Sequence, residues 1–111
     1  MGSLKLKLVD ALRWPVTIYV PQDGGTTTSV EVVGVFRPVL QTEFNELVGG
    51  KHRDSEILEK VLVGWDGIAD ADGNPLAFSP ESLKTLTEIG YARVGFMSAF
   101  MEVQGAGLAK N

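Results

Sequence analysis

Hydrophobic and polar positions alternate with a period of two in the first third of the chain and with a period near 3.6 after it. Val16-Thr17-Ile18-Tyr19-Val20 interleaves β-branched and aromatic residues with polar ones, and Pro21 closes the run. Gln22 to Thr28 is polar and holds Gly24-Gly25. Ser29 to Arg37 is again β-rich and ends at Pro38. Two such runs around a Gly-Gly turn predict a β-hairpin. Leu4, Leu6 and Leu8 alternate with lysines, which predicts an earlier strand pairing with that hairpin in a three-stranded sheet.

The helical period begins near Thr42. Thr42 is placed to cap Glu43 to Val48, with Gly49-Gly50 ending that helix. Asp54 is placed to cap a second helix whose stripe is Ile57, Leu58, Val61 and Leu62. Val63-Gly64-Trp65-Asp66-Gly67-Ile68 breaks it, and Asp70 to Pro75 reads as a turn. Ser79-Pro80-Glu81 has the grammar of a helix start, cap followed by proline in the first position, with Leu83, Leu86 and Ile89 on the inner face. Gly90 divides this from a last helix, Tyr91 to about Gln104. The pattern predicts an α+β fold: an N-terminal β-hairpin or small antiparallel sheet followed by three to four short α-helices. One domain is expected over residues 1–104, with a flexible tail over 105–111.

Composition narrows the chemistry. At 111 residues and 44% hydrophobic, the chain has material for one core. It has no cysteine, which removes disulfides, thiolate zinc sites and cysteine nucleophiles. The net charge of −4, with basic residues scattered, argues against nucleic acid as a partner. No apolar run approaches the ~20 residues that span a bilayer, and the N-terminal segment lacks the form of a signal peptide. A cytoplasmic location is expected.

Candidate sites are few. The single histidine, His52, lies between Lys51 and Arg53, a poor setting for a metal ligand. Counted from Asp70, the residues Asp72, Asn74, Leu76 and Glu81 fall on the ligand positions of a calcium-binding loop. Pro75, however, takes the place of the required glycine. The remaining acids fall in loops and first turns of helices, where solvent or the helix dipole accounts for them. No phosphate-cradling glycine motif or nucleophile elbow is present. The sequence therefore predicts a non-enzyme with no cofactor and no metal. Phe96, Met97, Phe100 and Met101 form a broad apolar stripe on the last helix, and Trp65 stands between glycines. These five residues have two readings, core or adaptable partner-binding surface.

The residues Gly64-Trp65-Asp66-Gly67-Ile68, Asp72-Gly73-Asn74-Pro75-Leu76 and Phe78-Ser79-Pro80-Glu81-Ser82-Leu83 carry a resemblance. Together they resemble the tail assembly chaperones of phages and prophages with long non-contractile tails. In that family a tryptophan leads into an acidic Gly-Pro turn and an aromatic-Ser/Thr helix start. The likeness covers the second half of the chain, with a weaker fit over Arg37-Pro38 and Thr42 to Val48. It implies a chaperone that binds the tape measure protein and the major tail tube protein in the host cytoplasm and is absent from the mature virion. Self-association is compatible with that role. A structural tail-tube or head-tail connector protein retained in the virion is the alternative. A small enzyme or calcium-dependent regulator built on the acidic turn is a third class. Many family members are made in two lengths by ribosomal frameshifting, and Ala109-Lys110-Asn111 can be encoded by a slippery string.

Overall fold

A computed structural model of the chain describes residues 2–105. The elements run β1 (Leu12–Pro21), β2 (Thr27–Phe36), α1 (Gln41–Gly49), α2 (Asp54–Val61), β3 (Leu62–Asp66), α3 (Pro80–Glu88) and α4 (Gly90–Val103). The fold is α+β: a three-stranded antiparallel sheet in the order β1-β2-β3, with four helices. From residue 106 on, the expected tail lies outside the described residues.

The hairpin forms where the alternation places it. Val16↔Val32 and Ile18↔Val30 pair across it, and Gly24 and Gly25 take the positive φ values, 87° and 90°, that let the loop close. Even-numbered residues of β1 face the helices and odd-numbered ones face solvent. Pro15 sits in β1, an edge strand, where a missing N–H is tolerated.

The third strand is not the one expected. Leu4 to Leu8 make no ladder; instead Leu62, expected on the stripe of the second helix, and Val63 to Asp66, from the stretch 63–68 read as a helix breaker, form β3. The cause is tertiary. The Arg37 N–H donates to the Val61 carbonyl at 2.8 Å, and its guanidinium donates to the Lys60 carbonyl at 3.1 and 3.2 Å. These bonds hold the end of α2 against the end of β2. The chain leaving α2 therefore runs directly alongside β2, pairing Gly34↔Trp65 and Val35↔Gly64.

Two expected caps also move by a residue or more. Leu40, not Thr42, precedes α1, and its carbonyl accepts from Phe44 to close the first turn. Arg53 precedes α2, so Asp54 lies inside it, and the Arg53 N–H is satisfied by Glu56 Oε1 at 2.9 Å. The cap of α3 is where the sequence places it. Ser79 Oγ accepts from the Ser82 N–H at 3.0 Å, and Pro80 is the first helical residue.

Four aromatic rings fill the space between sheet and helices. The Phe36 ring lies 6.3 Å from those of both Phe96 and Phe100, and Trp65 meets Phe96 at 6.4 Å. Phe36, Phe96 and Phe100 are fully buried, beside Leu58 and Val61 of α2. α4 lies almost in contact with the β1 backbone because Gly95 has no side chain. A Cβ there would stand 2.9 Å from the Thr17 carbonyl oxygen and from Ile18 Cγ1.

Candidate partner-binding groove

The structure divides the five aromatic and methionine candidates. Phe96, Phe100 and Trp65 belong to the buried cluster, and the Trp65 Nε1–H is satisfied by the Leu76 carbonyl at 2.8 Å. Trp65 also stacks edge-on against Phe78 at 5.0 Å. These three side chains are core, because the sheet offers them its one covered face. Met97 packs against the same cluster and stays half-buried; Met101 is half-buried too. None of the five lines the open apolar concavity of the described surface.

That concavity lies elsewhere, between the far half of the hairpin, the turn after β3 and the junction of α3 with α4. It has a volume of about 690 Å³. Ile18, Val20 and Val30 form the hairpin wall, Ile68 and Leu76 the turn wall, and Ile89 and Tyr91 the junction wall. Val30, Ile89 and Tyr91 remain 43%, 42% and 43% exposed, so apolar surface is open to solvent on two opposite sides.

Each wall has a local cause. Val30 continues the inward alternation of β2 past the last residue that a helix covers. Ile89 was expected on the inner stripe of α3. Its extended backbone (φ −93°, ψ 104°) ends α3, starts α4 and turns the side chain off that stripe. The 67–76 segment is a tight β-turn loop: Asp70 Oδ1 accepts from the N–H groups of Asp72 and Asn74 at 2.9 and 3.0 Å, and an isolated bridge joins Ala69 to Pro75. This loop carries Ile68 and Leu76 as a pair, linked by the Leu76 N–H to the Ile68 carbonyl at 2.9 Å.

The electrostatics of the groove are one-sided. Its charged lining residues are Asp70 and Glu81, and no cationic side chain is among those that line it. Asp70 is partly engaged by its own turn, which explains its spacing to Asp72 and Asn74 as turn geometry. Among the described residues no group of three or more His, Asp or Glu is placed to hold a metal ion. His52 is exposed in the loop before α2. Among the described residues no helix is long and apolar enough to cross a membrane.

A concave apolar wall with a carboxylate rim can bury an extended or helical apolar segment and favours one that carries lysine or arginine. No family model, curated protein or solved structure matches this chain.

Proposed function

We propose that this protein is a phage or prophage tail assembly chaperone: a binding protein that holds an apolar segment of a tail protein in the groove between Val30 and Ile89. The observation that carries this reading is the open apolar groove itself, with a rim of Asp70 and Glu81. The resemblance over Gly64 to Leu83 supports the choice of clients, since the turn and helix start that carry it also form one wall and the rim. The clients are the tape measure protein and the major tail tube protein. The chaperone works in the host cytoplasm and leaves before the virion is complete, without a cofactor and without covalent chemistry.

The test is co-expression with the tape measure and tail tube proteins encoded beside its gene, followed by affinity capture and mass spectrometry of purified virions. The reading expects capture of one or both clients, loss of capture with Val30→Asp, and no chain in the virion. If the chain is found in virions, or the isolated protein forms stable rings, it is instead a tail-tube or head-tail connector component.

A further inference from the structure

The segment before β1 exposes its apolar residues and joins no ladder among the described residues. Leu4 and Leu6 are 85% and 95% exposed, Val9 and Leu8 are exposed as well, and no strand pairs with them. Its one described backbone hydrogen bond there is local, Lys7 N–H to the Lys5 carbonyl at 2.8 Å. When the segment is extended, Leu4, Leu6 and Leu8 share one side and Lys5 and Lys7 the other. It is therefore apolar on one side and cationic on the other. The groove has the opposite complement: apolar walls and carboxylates at the rim.

We propose that this arm docks in the groove of a second copy, Leu4, Leu6 and Leu8 against Ile18, Val30 and Ile89, while Lys5 and Lys7, on the outward side, bend their long side chains back over the rim to Asp70 and Glu81. Reach decides between its own groove and a second copy's. The arm leaves β1 at Leu12, the end paired with Phe36, whereas the groove is walled by Ile18 and Val20 near the hairpin turn. Those residues stand six and eight positions along β1, about 20 and 26 Å from Leu12 at ~3.3 Å per residue. Folded back and fully extended, Leu4 and Leu6 reach about 26 and 20 Å from Leu12, level with Val20 and Ile18, but Leu8 reaches only about 13 Å, so the three leucines cannot seat together in their own groove. A second copy imposes no such limit. Two arms and two grooves exchanged reciprocally close a two-fold dimer without leaving either element over. The inference needs the groove but not the clients proposed above; a client segment with the same pattern competes with the arm for it.

The experiment is sedimentation velocity of the full chain across a concentration series, with no client present. The wild type is expected to dimerise. Leu4→Asp/Leu6→Asp in the arm and Val30→Asp in the groove should each weaken the dimer at least tenfold, with unchanged circular dichroism. Glu81→Lys should also weaken it, and Lys5→Glu/Lys7→Glu combined with Glu81→Lys should restore it. Because the arm variant touches no packed residue, it remains informative if Val30→Asp fails to fold. A wild type that is monomeric at high concentration overturns the proposal, and so does a dimer indifferent to the arm substitutions. Client capture is measured separately, so either result leaves the chaperone reading to stand or fall by itself.

Discussion

Gln104 and Val39 hold each other by two hydrogen bonds: the Val39 N–H donates to Gln104 Oε1 at 2.8 Å, and Gln104 Nε2 donates to the Val39 carbonyl at 3.0 Å. A side-chain amide here replaces a strand partner for the backbone between β2 and α1, and it fixes the end of α4 to that linker. Val39 is buried, so both of its polar groups would otherwise be unpaired away from water. Gln104→Leu is expected to cost about 1–3 kcal/mol, measured by urea unfolding. Gln104→Glu should lose less, since a carboxylate still accepts from the Val39 N–H, and should recover further on acidification as the protonated acid regains a donor.

Gly95 lets α4 approach β1. Alanine is better than glycine within a helix by about 1 kcal/mol, so on propensity alone Gly95→Ala would stabilise. The added Cβ, however, meets backbone, the Thr17 carbonyl oxygen at 2.9 Å, which cannot swing aside as a side-chain tip can. Overpacking of this kind costs about 1–3 kcal/mol. Gly95→Ala should therefore lower the thermal midpoint, whereas Ser98→Ala, on the exposed side of the same helix, should leave it unchanged or raise it slightly.

The core placement of Phe96 and Phe100 gives a discriminating pair of substitutions. Phe96→Ala or Phe100→Ala empties the site where the rings of Phe36, Phe44 and Trp65 converge and should cost about 3–5 kcal/mol. Met101, half-buried, should cost under about 2 kcal/mol on truncation. Any loss of client capture in the phenylalanine variants should track loss of the folded baseline. Val30→Asp should lose capture while remaining folded.

What the sequence disclosed depended on how far each residue's partner lies along the chain. Ser79 is bonded to Ser82, three residues away, and the cap was legible. The hairpin was legible because Val16 to Val20 and Val30 to Phe36 alternate in step around Gly24-Gly25. Leu62–Asp66 was not, because nothing local makes Gly64-Trp65 a strand; β2 does, once Arg37 has fixed the end of α2. The groove was illegible for the same reason. Val30 and Ile89 each match an ordinary inward position of a strand or helix, and only their joint placement shows that no described element covers them. The aromatic-methionine stripe stood out in sequence because it is dense, and density is what a core requires. Leu4 to Leu8 show the limit of periodicity: the alternation is real, but it does not supply a partner strand.

The Arg37–Glu43 pair supplies a pH dependence. Arg37 Nη2 donates to Glu43 Oε2 at 3.0 Å, and this hydrogen bond, helped by the guanidinium charge, lowers the Glu43 pKa below its ordinary 4.5. A carboxyl whose pKa is lower folded than unfolded contributes stability above the unfolded value and loses it as pH falls through the folded one. Both side chains are about two-fifths exposed, so solvent screening keeps the contribution small. Glu43→Gln should therefore lie slightly below the wild type in stability near neutral pH. The two profiles should converge as pH falls through the lowered Glu43 pKa, and added salt should narrow the gap. Arg37→Ala removes the same pair and also the two bonds to the Lys60 carbonyl, so it should cost more than Glu43→Gln at neutral pH and keep a deficit in acid. Parallel urea titrations of the three proteins from neutral to acid pH measure the difference. Equal losses for the two substitutions would mean that the ion pair, and not the clasp on α2, holds β3 beside β2.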